Sequence, residues 1–134
     1  MNYWLLKTEP ETFSWDDLVR DKKASWDGVR NFQARRNLKE MKKGDQAFIY
    51  HTGDEKAVVG ISTVTREGYP EAKEPNWIAV DLAPEKALKS PVSLARIKQD
   101  KALQQMVLVK VARLSVQPVS KAEFERVIEL STKP

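Results

Sequence analysis

A run of basic residues is the feature of this sequence with the clearest chemistry. It consists of Arg30, Arg35, Arg36, Lys39, Lys42 and Lys43, and only Glu40 opposes it. On a helix, Arg36, Lys39 and Lys43 would share one face. Cations on one face can follow the phosphates of a nucleic acid. The run therefore predicts backbone contacts from Arg30, Arg35, Arg36, Lys39 and Lys43; the alternative is a solvated helix face.

Trp26 stands just before this basic run. The segment from Ala24 to Arg30 has no apolar periodicity, which favours an irregular loop. A tryptophan on such a loop can stack on the face of any nucleobase. The other interpretation is that Trp26 covers the core, where Trp4 and Trp15 are expected from their strand and helix positions.

Signs of catalysis are weak by comparison. His51 is the only histidine and there is no cysteine, so neither a His-based nor a Cys-based metal site is expected. The sequence has no G-x-S-x-G motif, and its five glycines are scattered, so a nucleophile elbow and a phosphate loop are not indicated. His51 is equally well explained as a partly buried residue bonded to the backbone. We predict a protein that is not an enzyme and uses no cofactor and no metal.

The composition fits a globular domain with an anionic partner. The formal net charge is +4, with 41% hydrophobic and 31% charged residues, and the pI is near 9.3. These are ordinary values for a folded domain with a mild basic excess. The apolar stretches are far shorter than the ~20 residues that cross a bilayer, and the N-terminus does not resemble a signal peptide. We expect one domain over residues 1–134 in a soluble, cytoplasmic protein with no membrane partner.

Capping residues predict where the helices begin. Ser14 with Asp17 and Ser120 with Glu123 have the spacing of a capping box, and Asn31 is a good N-cap. With Ser93 as a further cap, the predicted helices run from Trp15 to Arg20, from Phe32 to about Lys42, from Ser93 to Lys98 and onward from Ser120. The second of these would bury the stripe Ala34, Leu38 and Met41.

Segments rich in β-branched and aromatic residues predict five or six strands. They are Asn2–Lys7, Gln46–His51, Ala57–Arg66, Trp77–Leu82 and Met106–Val116. Gly60 is expected to mark a bulge or a close approach, and the first strand is expected at the centre of the sheet. Short helices between such strands indicate an α+β domain with a mostly antiparallel, barrel-like sheet.

Several segments resemble the EVE domain family, which is grouped with YTH and ASCH domains in the PUA-like superfamily. The best matches are Tyr3 to Pro10, Trp26 to Asn31, Met41 to Asp45 and Phe48 to His51. Weaker matches extend to the segment from Leu114 to Ser120. The similarity covers almost the whole chain, and the order and spacing of the segments make it specific.

The resemblance implies a PUA-like, mostly antiparallel β-barrel of five or six strands with short helices at the rim. It also implies a module that holds a modified base in an aromatic pocket without doing chemistry on it. The partner would be DNA or RNA containing a modified base, expected to be a modified cytosine, or a modified nucleotide, and a monomer is expected. By position, the pocket residues would be Trp26, Lys7, Thr8, Glu9, Val29, Asn31, Tyr50, His51 and Thr52.

Two other functions stay open. Some ASCH relatives are amidohydrolases that act on acylated cytidine through a Lys, a Thr and a Glu, and Lys7, Thr8 and Glu9 are those residue types. Adjacent side chains on a strand point to opposite faces, so these three are not expected to converge. The second possibility is a protein-interaction module that has lost base binding.

Overall fold

Six strands form one mixed sheet within residues 1–133, the part of the chain that this computed structural model describes. The strands are β1 (Tyr3–Thr8), β2 (Ala24–Trp26), β3 (Gln46–His51), β4 (Ala57–Pro70), β5 (Ile78–Ser93) and β6 (Val116–Val119). Their spatial order is β2-β5-β4-β3-β1-β6. β1 runs parallel to β3, and every other neighbouring pair is antiparallel. The predicted α+β class and mostly antiparallel sheet are confirmed.

Two expectations about the sheet are not met. The sheet has two ends, β2 and β6, so its closure into a barrel is not confirmed. β1 lies between β3 and the end strand β6, not at the centre as predicted. The central pair consists of β4 and β3 instead, and β4 and β5 form the longest pairing of the sheet because both strands continue beyond their predicted ends.

Helices begin at the capping residues that predict them. Within residues 1–133 the helices are α1 (Trp15–Asp21), α2 (Phe32–Glu40), α3 (Leu94–Gln99), α4 (Val107–Lys110) and α5 (Lys121–Ser131), with a 3-10 turn at Lys101–Leu103. Ser14 and Ser120 form complete capping boxes with Asp17 and Glu123. The Asn31 side chain accepts a hydrogen bond from the Ala34 amide. These confirmed starts depend on local hydrogen bonds, which sequence patterns report directly.

Two segments differ from their predicted structure. Met106–Val116 is not a strand: it contains α4 and a turn, and only Val116 begins β6. Its alternating valines have high strand propensity, but Met106 and Leu108 are buried in the core from a helical turn, and packing overrides propensity. Ala24–Trp26 is a strand rather than a loop, because it pairs with β5 through Trp26 and Val80.

Both faces of the sheet are covered by apolar side chains. On β1, Trp4 and Leu6 belong to one buried cluster and Leu5 to the other, as expected when successive side chains point to opposite faces. A Cβ at Gly60 would lie 2.5 Å from the Trp15 ring, which confirms the predicted close approach. In residues 1–133, no helix is long and apolar enough to cross a membrane.

Candidate functional site

A cavity of about 460 Å³ opens where β1 ends. Its walls come from the end of β1, the turn before α1, strand β2 with the loop that follows it, and the residue that precedes β6. The lining residues are Lys7, Thr8, Glu9, Thr12, Phe13, Ala24, Ser25, Trp26, Asp27, Gly28, Val29, Arg30 and Ser115. Segments far apart in sequence therefore form one concave surface.

The aromatic wall of the cavity consists of Trp26 and Phe13. Their ring centroids are 5.9 Å apart and the ring planes are inclined at 80°, an edge-to-face arrangement. Trp26 is only 9% exposed and belongs to the buried cluster under the sheet. Trp26 thus covers the core and also lines the cavity. Its place in the structure fits both sequence interpretations, a cover over the core and a surface on which a base could stack. The strand pairing of β2 holds it in place.

Three consecutive residues at the end of β1, Lys7, Thr8 and Glu9, all line the cavity. β1 ends at Thr8, so the alternation of a strand no longer governs the direction of Glu9. The Lys7 ammonium donates to the carbonyl of Ala112, and burial lowers the pKa of Lys7. The Thr8 hydroxyl donates to the carbonyl of Phe13 at 2.7 Å. The polar ends of Lys7 and Thr8 are therefore already paired.

Four other predicted pocket residues lie outside the cavity lining. Asn31 caps α2. Tyr50 is buried in the cluster that contains Leu5, and the Lys7 ammonium lies 5.7 Å from the centroid of its ring. The Thr52 hydroxyl donates to the carbonyl of Thr8. Tyr50 and Thr52 thus support the end of β1 behind the cavity.

The fourth of these residues, His51, has both ring nitrogens engaged. Its Nε2 accepts from the amide of Trp15 at 3.0 Å, and its Nδ1 lies 2.8 Å from Glu55 Oε1. An accepting Nε2 requires the proton on Nδ1, which then donates to Glu55. His51 thus matches the buried, backbone-bonded role that its sequence position allowed.

Glu71, on the segment between β4 and β5, holds the cavity rim. Its carboxylate accepts two hydrogen bonds from Arg30, each 2.8 Å long. It also accepts from the amide of Gly28 at 3.0 Å. These hydrogen bonds fix the loop after Trp26. The Arg30 guanidinium holds the pKa of Glu71 below its usual value.

Glu71→Gln is expected to lower the thermal midpoint of unfolding at neutral pH and to match the wild type in strong acid. A depressed carboxyl pKa contributes stability above the ordinary value of 4.5, and that contribution disappears as the pH falls through the lower folded-state value. Thermal unfolding at pH 7 and in strong acid measures both differences. Glu85→Gln, at an exposed carboxylate, is the control. A difference that persists unchanged in acid would exclude the ion pair as its source.

The predicted phosphate-binding residues fall into two groups. Arg30 is paired with Glu71, and Arg35 donates to the carbonyl of Asn76 at 2.8 Å. In residues 1–133, exposed Arg36, Lys39 and Lys43 form no ion pair. Of the five predicted residues, these three are the ones available to a partner.

Lys43 lies far from the cavity, so a nucleic acid that contacts both must be long enough to connect them. Next to Lys43, the turn before β3 meets the start of β1, where the Asn2 amide donates to Asp45. The cavity lies at the other end of β1, roughly 17 Å away at 3.3 Å per residue. A ligand that reached from the cavity to Lys43 would have to extend along α2.

Several lining residues were not predicted from the sequence. Phe13 and Asp27 lie inside or beside segments that resemble the EVE family, so that resemblance could have indicated them. Ser115 lies in the weaker match from Leu114 to Ser120. Glu71 lies outside the lining and carries no local signal, because only its hydrogen bonds to Gly28 and Arg30 bring it to the rim. In residues 1–133, no group of three or more His, Cys, Asp or Glu side chains is arranged to hold a metal ion.

The fold defines the class, an α+β domain built on one mixed six-stranded sheet. ASCH from Zymomonas mobilis shares this fold with a TM-score of 0.59, over 96% of this chain and 95% of that one, at only 14% identity. The chain belongs to the EVE domain family, whose family model matches residues 2–130.

Relatives over the whole chain support this assignment. Human thymocyte nuclear protein 1 is 35% identical over 168 aligned residues, which cover 98% of this chain and 75% of the human protein. An NMR structure of a Rhodopseudomonas palustris protein is 39% identical with a TM-score of 0.94, covering 99% of this chain and 94% of that one. A crystal structure of human thymocyte nuclear protein 1 in complex with DNA containing 5-methylcytosine is 32% identical with a TM-score of 0.92, covering 100% and 99%.

Proposed function

We propose that this protein binds nucleic acid and holds one modified base, of the 5-methylcytosine type, in the cavity beside Trp26 and Phe13. The observation that carries the proposal is the cavity itself, which has an aromatic wall and polar groups at the end of β1. The complex of the human relative with 5-methylcytosine DNA supports it, because that relative shares the fold along the whole chain.

The size and walls of the cavity suit a single base. At about 460 Å³ it falls within the ~300–1,000 Å³ range of small-molecule sites. The Trp26 ring offers a stacking surface, worth ~1–3 kcal/mol per base. Phe13 and Val29 provide apolar contacts for a methyl group. Burying one such carbon is worth ~0.8 kcal/mol, or about 4-fold in affinity.

Two carboxylates favour cytosine over thymine. Glu9 and Asp27 line the cavity, and a carboxylate accepts a hydrogen bond from the N4 amine of cytosine. Thymine has an oxygen at that position and would leave the carboxylate opposed by an acceptor. The polar lining therefore supports a modified cytosine as the ligand.

The proposed function is binding without chemistry. The polar ends of Lys7 and Thr8 are bonded to backbone carbonyls, and both ring nitrogens of His51 are engaged. A general base must instead reach a proton of the substrate. These pairings support a module that recognises the base and leaves it intact.

An amidohydrolase is the second candidate, since Lys7, Thr8 and Glu9 line one cavity. In that case the protein would hydrolyse N4-acylcytidine, and Lys7→Ala would abolish the turnover. Chromatography of N4-acylcytidine incubated with the protein measures this. Turnover lost with Lys7→Ala would replace the binding proposal by the enzymatic one.

Titration of matched oligonucleotides tests the binding proposal. DNA and RNA strands with cytosine, 5-methylcytosine or thymine at one central position differ only at the base in question. We expect the strand with 5-methylcytosine to bind most tightly and the strand with thymine most weakly. Equal affinity for all three strands would exclude base recognition in the cavity.

A further inference from the structure

Phe32 is an exposed aromatic residue at the start of α2. Its side chain is 67% exposed, and within residues 1–133 it is the only aromatic among the large apolar side chains that face solvent. The first turn of α2 carries no acidic residue. A large aromatic surface held in solvent contributes little to the stability of the domain, so a ligand offers a better explanation for its position.

Trp77 holds the Phe32 ring in a defined orientation. The two rings are stacked, with centroids 5.3 Å apart and an interplanar angle of 22°. The guanidinium carbon of Arg35 lies 4.9 Å from the Phe32 centroid and 5.3 Å from that of Trp77. We call Phe32 and Trp77 the aromatic platform. The ring stacking and the guanidinium group favour this one arrangement of the platform.

The aromatic platform adjoins the cavity through Arg30. Arg30 lines the cavity, and its guanidinium carbon is 5.2 Å from the Trp77 centroid. Phe32 follows Arg30 by two residues, so their Cα atoms are at most ~7.6 Å apart. A nucleotide next to the one in the cavity is therefore within reach of the platform.

We propose that the aromatic platform stacks the nucleobase adjacent to the modified base, so that the ligand is an oligonucleotide rather than a free nucleotide. This inference rests on the proposed function of the cavity. An exposed ring beside cations is the combination that binds unpaired bases, because the ring takes the base and the cations take the phosphates. Arg35 at the platform and exposed Arg36 beside it supply the cations. That charge favours a nucleic acid over an apolar protein segment.

Trinucleotides with a central 5-methylcytosine test the proposal. The flanking positions carry either thymine or an abasic sugar, so the phosphates stay the same while the flanking bases are removed. Phe32→Ala should weaken binding of the thymine-flanked strand ~5-fold or more, the equivalent of one lost stack. It should bind the abasic-flanked strand as the wild type does, and Phe32→Trp should restore the affinity for thymine flanks.

Three controls distinguish an effect on the platform from effects on folding and on the cavity. Val19→Ala removes apolar surface from another exposed position on α1 and should bind both strands normally. Thermal unfolding of Phe32→Ala should stay close to that of the wild type. Thr12→Trp, which fills the cavity, should lose both strands.

The outcomes distinguish the two proposals. If Phe32→Ala weakens both strands equally, or neither, the platform does not stack a base and a protein partner becomes the better occupant. If Thr12→Trp also binds both strands as the wild type does, the cavity proposal fails and the platform proposal fails with it. If no strand binds the wild type, both proposals are overturned.

Discussion

Trp26→Ala is expected to lower the free energy of unfolding by ~3–5 kcal/mol, the usual cost of truncating a core tryptophan. Trp26 is buried, packs in the cluster beneath the sheet and contacts Phe13 edge to face. Typical domains have only ~5–15 kcal/mol of stability in total. Urea unfolding measures the loss, and a change below ~1 kcal/mol would show that the ring is not part of the core.

The same residue is expected to contribute to base binding. Trp26→Phe keeps an aromatic ring and is better suited than alanine to measuring affinity in a folded protein. It should reduce the affinity for a 5-methylcytosine strand, because a smaller ring covers less of the base. Trp4→Phe is the matched control: Trp4 donates to Asp45 at 3.0 Å and does not line the cavity. Equal losses of affinity in the two variants would assign Trp26 a packing role only.

The triple variant Arg36→Gln, Lys39→Gln, Lys43→Gln should make oligonucleotide binding less sensitive to salt. Each phosphate contact removed lowers the slope of log K against log salt by ~0.7–0.9, so three lower it by ~2–3. All three residues are exposed and form no ion pair within residues 1–133. Titrations at several salt concentrations measure the slope.

A second triple variant controls for net charge. Lys86, Lys89 and Lys98 are also exposed but lie on β5 and α3. Replacing them by glutamine changes the net charge equally and should leave the slope nearly unchanged. If both triple variants reduce the slope to the same extent, the face of α2 is not the docking surface. Single variants should further show the smallest effect at Lys43, because it is farthest from the cavity.

The parts of the fold that could be predicted from the sequence are those governed by local hydrogen bonds. Ser14 and Ser120 mark the starts of α1 and α5 through capping boxes that involve residues three positions away. Asn31 marks α2 in the same way. Because the partners in such a contact lie three residues apart, their spacing in the sequence is enough to predict it.

The parts that could not be predicted depend on contacts between distant segments. The strand β2 exists because it pairs with β5, more than fifty residues further along the chain. The helix α4 replaces a predicted strand because Met106 and Leu108 are buried from a helical turn. Strand propensity is a local property and predicts neither the pairing of β2 with β5 nor the burial of Met106 and Leu108.

The candidate site shows the same division. Trp26, Val29 and the residues from Lys7 to Glu9 line the cavity and were expected in the pocket from the family resemblance. Tyr50 and His51 come from the adjacent strand β3, but their side chains point to the core and to α1. The ion pair between Arg30 and Glu71 joins residues separated by forty-one positions, and no pattern in either segment indicates it.

The central claim, that a modified base occupies the cavity, is tested most directly by the binding of Thr12→Trp. Thr12 is exposed and lines the cavity, and its backbone amide, not its side chain, bonds to Glu9. A tryptophan there should fill the cavity while the fold is retained, and Thr65→Trp on an exposed part of β4 is the control. Calorimetric titrations with a 5-methylcytosine strand and with its cytosine counterpart should show a preference for 5-methylcytosine in the wild type and in Thr65→Trp, and no preference in Thr12→Trp. Unchanged preference in a folded Thr12→Trp variant would contradict the account.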